Sequence, residues 1–176
     1  MAKVDGGYLV AKMLKEEGVE CVFTLTGGHI MPILYACTDL GIDVIDMRHE
    51  CAAAYAADAY ARVKGKPGVV ITTAGPGVTD TLTAMAEAAD TGIPVIQIGG
   101  GGHQRQNDMG AAQNIDTVTA MGAFCKFSRK CIYPERIPEY MAMAFRHAMD
   151  DTPGPVYIEF PTNILHEKFG LSLIHI

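Results

Sequence analysis

Short, continuously apolar segments recur along this chain between helical patterns, and that alternation constrains its fold more than any other feature. The segments are ECVFTL, IDVIDM, GVVITT, PVIQIGG and GPVYIEF, each bounded by Gly, Pro or Asp. A strand with one wet face alternates apolar and polar residues, whereas these do not alternate, so helices must cover both of their faces. Helical spacing supplies those helices: Leu9, Val10, Met13 and Leu14 recur within residues 8–17, and Tyr140, Met141, Ala144, Phe145 and Ala148 within residues 137–149. The expected class is therefore α/β, a doubly wound, mostly parallel sheet with helices on both faces.

With 176 residues, 49% of them hydrophobic and 19% charged, the chain can bury one sizeable core and has no room for a second complete domain. The formal net charge of -6, from 14 basic and 20 acidic residues with no basic run, argues against a nucleic-acid or membrane-surface partner. Small-molecule work is the better expectation. The first residues read as a helix rather than a signal peptide, and no apolar run approaches the roughly 20 residues that span a bilayer, so a cytoplasmic location is expected. Cys21, Cys37, Cys51, Cys125 and Cys131 form an odd set without a Cys-x-x-Cys pair. Reduced, mostly buried thiols are expected, with no disulfide framework and no metal site.

In such a sheet, ligands collect at the carboxyl ends of the strands. Three corners qualify, TLTGGHIMP, DMRHECA and TTAGPGVTD, and the long polar segment GGGGHQRQNDMGAAQ suits a mobile cover. The glycines complete neither G-x-G-x-x-G nor G-x-x-x-x-G-K-[ST], so taken alone Gly27, Gly28, Gly75 and Gly77 are tight turns, with Pro76 opening a helix. The four glycines at 99–102 read as a flexible loop. Glu50 opens a helix, where the macrodipole favours a carboxylate by about 0.3 to 1 kcal/mol without any chemistry. His49 is open between a packed core imidazole and a polar site group, and Arg48 reads as a solvated or ion-paired side chain. The alanines of ECAAAYAADAYA and TLTAMAEAAD do more than raise helix propensity: they let both helices be approached closely, as between their own sheet and a second subunit or domain.

In order along the chain stand RHE opening the Ala-rich AADAYAR helix, GKPGVVITTAGPGVTDTLTAMAEA, PVIQIGG, QNID and GPVYIEFP. Together they resemble the N-terminal pyrimidine-binding domain of thiamine-diphosphate enzymes of the acetolactate synthase group, which includes benzaldehyde lyase, oxalyl-CoA decarboxylase and 2-hydroxyacyl-CoA lyase. The resemblance covers roughly residues 8–164. It implies that Glu50 hydrogen-bonds N1′ of the cofactor's aminopyrimidine and favours the imino tautomer, whose nitrogen removes the thiazolium C2 proton. It further implies that Gly27 and Gly28 lie beside the pyrimidine, that Thr73, Gly75, Pro76 and Gly77 form the loop that lets the ring approach backbone, and that Gln113 faces substrate, with His49 assisting Glu50 or simply packing. Two positions depart from acetolactate synthases: Ala112 stands where Phe is usual and Asp80 where Asn is usual. Ala112 leaves more room at the substrate end, which favours a lyase or carboligase of larger acyl groups.

The resemblance also sets expectations for organisation. Residues 1–165 are expected to form the pyrimidine-binding domain, and residues 166–176 the start of a linker or a foreign tail on a truncated frame. In the family the diphosphate and Mg²⁺ are held by a separate domain with a G-D-G...N motif, which this chain lacks. The chain is thus expected to be inactive alone, as half of a site completed by the diphosphate-binding domain of the same enzyme or by a partner subunit, in a homodimer or tetramer. Thiamine diphosphate is the expected cofactor; FAD is left open, with no support in these residues. The implied function is the pyrimidine-binding half of a thiamine-diphosphate-dependent C–C lyase or carboligase acting on 2-keto acids or 2-hydroxyacyl substrates. The alternatives are a natural small subunit of a two-subunit decarboxylase and a non-catalytic assembly module with the same fold.

Overall fold

The computed structural model describes residues 3–170. In chain order the elements are β1 (Lys3–Asp5), α1 (Gly6–Glu16), β2 (Cys21–Leu25), α2 (Met31–Asp39), β3 (Asp43–Asp46), α3 (Glu50–Lys64), β4 (Gly68–Thr72), α4 (Pro76–Thr79), α5 (Leu82–Thr91), β5 (Val95–Gly101), α6 (Thr117–Gly122), β6 (Phe127–Lys130), α7 (Ile137–Met149), β7 (Val156–Pro161), α8 (Thr162–His166) and β8 (Lys168–Gly170). Local chemistry sets several of the boundaries. Asp5 caps α1 by accepting from the Tyr8 N–H at 2.8 Å, and α3 and α5 stop at Gly65 and Gly92, both in the left-handed conformation.

Six strands form one parallel sheet in the order β3-β2-β4-β5-β7-β6, while β1 and β8 make a separate antiparallel pair. Successive strand residues point to opposite faces, so β4 sends Val69 and Ile71 to one side and Val70 to the other. Leu9, Leu14, Ile33 and Met141, from α1, α2 and α7, cover the first face, while Ala53, Ala57, Met85 and Ala88, from α3 and α5, cover the second. The sheet is therefore doubly wound, and its five apolar segments are β2, β3, β4, β5 and β7.

Three details differ from expectation. β3 is an edge strand with Asp43, Ile45 and Asp46 exposed, because its outer neighbour is solvent rather than another strand. The opposite edge, β6, has the sequence Phe-Ser-Arg-Lys, whose polar character gave no strand signal and suits a position that water can reach. Gly99, Gly100 and Gly101 form the buried end of β5, not a flexible loop. A β-carbon on Gly99 would lie 2.5 Å from the Tyr157 hydroxyl, and one on Gly100 2.6 Å from the His29 β-carbon, so bare backbone there gives neighbouring side chains their room.

The expected boundary after residue 165 falls within α8, and Lys168–Gly170 pair with Lys3–Asp5 beyond it. The rest of the segment expected to be a linker or tail, residues 171–176, lies outside the described residues. Among the described residues no helix is long and apolar enough to cross a membrane.

Candidate functional site

The strand order reverses between β2 and β4: the chain leaves β2 outward to β3, then returns to β4 on the other side of β2. That reversal opens a crevice at the carboxyl ends of the two strands, the usual ligand position in an open α/β sheet. The loops after β2, β3 and β4 all end there.

Close backbone approaches tie these loops together. A β-carbon on Gly27 would lie 2.4 Å from that of Thr73, and one on Gly77 would lie 2.7 Å from Thr73 Cγ2 and 3.3 Å from Glu50 Oε1. Gly75 has φ 61° and ψ -114°, a conformation that side chains oppose, and a β-carbon there would stand 2.4 Å from the Gln113 carbonyl oxygen. Gln113, itself at φ 61°, is thereby brought by the long loop to the back of the same turn. Gly28 opens a 3-10 turn, Gly28–Ile30, with nothing within 4 Å of where its β-carbon would be. Pro76 begins α4, the single turn that carries Gly77. Ala112 is exposed beside Gln113.

Glu50 is the first residue of α3 and only 9% exposed. No buried carboxylate oxygen among the described residues lacks a partner, so Glu50 can reach a ligand only through oxygen that solvent also reaches, beside the glycine-faced turn. His49 is not a packed core group. It is exposed and caps α3, its Nδ1 accepting from the Cys51 N–H at 3.1 Å. One potential ligand atom from each of His49, Glu50 and the exposed Asp80 falls within 4.8 Å of the others, so both polar groups border the Glu50 carboxylate. Arg48 is exposed, as expected of a solvated side chain.

Sequence reasoning missed His29. Its Nδ1 stands 3.1 Å from Thr73 Oγ1, and desolvation holds its imidazole below the ordinary value of 6.5, favouring the neutral form. The available signal was an imidazole directly after Gly27-Gly28 in a loop at a strand's carboxyl end. The site thus offers a buried carboxylate, an uncharged imidazole bonded to a threonine, and a turn whose missing β-carbons expose backbone.

Comparison with known proteins gives the family. Residues 4–121 match the family described as "Thiamine pyrophosphate enzyme, N-terminal TPP binding domain". The chain is 45% identical to 2-hydroxyacyl-CoA lyase 2 of Danio rerio over 161 residues, covering 92% of this chain and 26% of the relative. Identity to 2-hydroxyacyl-CoA lyase 2 of Homo sapiens is 41% over 167 residues, 93% of this chain and 26% of the relative. Against the acetolactate synthase large subunit IlvG of Mycobacterium tuberculosis it is 36% over 169 residues, 96% of this chain and 30% of the relative. The chain therefore spans about a quarter of the length of the 2-hydroxyacyl-CoA lyases it matches. With a switch-point crevice built from Glu50, Thr73 and the Gly75–Gly77 turn, and with that match over most of its described length, the chain belongs to the thiamine pyrophosphate enzymes as their N-terminal TPP-binding domain.

Proposed function

We propose that this domain is the pyrimidine-binding half of a thiamine-diphosphate-dependent C–C lyase or carboligase acting on 2-hydroxyacyl or 2-keto substrates. The observation that carries the reading is Glu50, a residue only 9% exposed whose carboxylate opens onto a turn stripped of β-carbons. When bound, thiamine diphosphate supplies a nucleophilic carbon and an electron sink for the bonding pair of the broken C–C bond. The protein's part is to place and protonate. Glu50 presents an oxygen to the pyrimidine ring nitrogen and holds or releases a proton there. The backbone of Gly27, Gly75 and Gly77 lets the ring lie flat, and Thr73 keeps the two loops in register. Gln113 faces the substrate side, with Ala112 beside it leaving room for a large acyl group, which fits the 2-hydroxyacyl-CoA lyases among the relatives.

Diphosphate and Mg²⁺ fall to a further domain of the same enzyme or to a partner subunit, in a dimer or tetramer. We place the enzyme in the cytoplasm, supported by its five unpaired cysteines. The test is to supply the complete enzyme with thiamine diphosphate, Mg²⁺ and a long-chain 2-hydroxyacyl-CoA. The expected result is cofactor-dependent release of the aldehyde left when the C1–C2 bond breaks. Cleavage that is unchanged when thiamine diphosphate is stripped would overturn the proposal.

A further inference from the structure

Beneath the turn that carries Gly75 and Gly77 lies a buried polar cluster that the proposed chemistry does not use. Gln97 sits within β5, fully buried between Val70 of β4 and Tyr157 of β7, and Thr72 and Thr81 are fully buried with it. A primary amide in such a place is costly unless every polar atom is satisfied. Here its oxygen accepts from Thr81 Oγ1 at 2.7 Å, while its nitrogen donates to Thr72 Oγ1 at 3.3 Å and to the Val78 carbonyl at 3.4 Å. Thr81 Oγ1 is also 2.7 Å from that carbonyl and, having one proton, serves the two acceptors in turn.

These partners are the two ends of one segment. Thr72 immediately precedes Thr73, and Val78 immediately follows Gly77. Between them runs the segment whose glycines meet Thr73, Glu50 and Gln113. α4 is a single turn of 4 residues, entered from a glycine with no side-chain cap, so it has little stability of its own. An aliphatic residue at position 97 would fill the volume equally well but would hold neither end.

We propose that Gln97 and Thr81 are positioning residues: they fasten both ends of the 73–77 turn to the central strand, setting the height at which its backbone meets a bound aminopyrimidine and keeping Gly77 against Glu50. The ligand half of this inference rests on the cofactor reading above, whereas the anchoring half does not.

Thr81→Val removes the hydroxyl at nearly constant volume, and Thr81→Ser retains it. In the complete apo-enzyme, amide hydrogen exchange should accelerate at least about tenfold at Val78, Thr79 and Asp80, whose N–H groups bond to the Gly75 and Pro76 carbonyls, while α1 and α7 keep their protection. Thr81→Ser should exchange like the parent. With Mg²⁺ present and well below the unfolding temperature, Thr81→Val should raise the Kd for thiamine diphosphate about tenfold, the scale of one hydrogen bond's contribution, and Thr81→Ser should restore it. Exchange that rises equally in every element, or does not rise at all, overturns the anchoring role. Local loosening with parent-like affinity overturns the link to the ligand. A parent enzyme that binds no thiamine diphosphate, while the local exchange result holds, overturns the cofactor reading and leaves the anchoring in place.

Discussion

At the scale of single residues, Glu50 and His29 show how one corner can hold a legible group and a hidden one. Glu50 stands out in the sequence because it opens a helix directly after an apolar strand, and its identity as a carboxylate at a strand's carboxyl end is local information. In the complete enzyme, Glu50→Gln keeps the size and hydrogen-bonding capacity but cannot exchange a proton as a carboxyl does. Turnover should fall by about 10² to 10⁴ with cofactor binding largely retained, and the C2–H exchange of bound thiamine diphosphate, followed by NMR in deuterated buffer, should slow with it. Parent-rate exchange would reduce Glu50 to a helix-start carboxylate. The pairing of His29 was not legible, since its partner Thr73 lies 44 positions away and only the crossover to β4 brings them together. Its folded-state value is depressed by desolvation, so as pH falls below about 6.5 the unfolded chain takes up the proton first. Stability linked to neutral His29 is therefore full above that pH and is lost as pH falls toward the folded-state value. Urea midpoints measured from about pH 7 to pH 5 should decline less steeply for His29→Asn than for the parent.

Elements pack at distances that only their neighbours reveal. A β-carbon on Gly68, the first residue of β4, would lie 1.9 Å from the Ala57 carbonyl oxygen, because α3 rests directly on the strand's start. Gly68→Ala must push the helix outward, and should cost about 1 to 3 kcal/mol as overpacking, seen as a lower urea midpoint at unchanged slope. Gly28→Ala has open space around it and should leave stability within about 0.5 kcal/mol. The same principle explains the reading of Gly99–Gly101 as a loop: a glycine run looks flexible in isolation and becomes strand when Tyr157 and His29 occupy the volume beside it. β6 went unread for the converse reason. Phe127–Lys130 has little intrinsic strand pattern and extends because β7 offers a parallel edge in register, from Phe127 against Val156 to Lys130 against Glu159.

Over the whole molecule, the Ala-rich helices divide into two faces. Ala53, Ala54, Ala57 and Ala61 of α3 are buried in the domain, whereas Ala52 and Ala59 are exposed and Val63 is 84% exposed. Arginine at position 57 would wound the core, so the assembly test belongs at Ala52. In the complete enzyme, Ala52→Arg should shift sedimentation toward smaller species while circular dichroism stays parent-like, and unchanged assembly would remove this face from the interface. On the half-site reading proposed above, the isolated domain contacts the pyrimidine and not the diphosphate, so calorimetry with thiamine diphosphate and Mg²⁺ should show little heat; micromolar affinity would contradict that reading. The sequence by itself determined the five apolar strands, the α/β class and the order in which glycine corners and Glu50 occur, because apolar continuity, helical spacing and Gly/Pro punctuation act within a few residues of chain. Only the tertiary structure decided that β3 and β6 are edges, that His49 caps rather than packs, and that Gly27, Glu50, Thr73 and Gly77 meet at one crevice with the Gln113 backbone behind its turn. Those outcomes follow from strand order. The reversal between β2 and β4 brings together residues tens of positions apart, and no local pattern encodes on which side of a strand the next crossover will land.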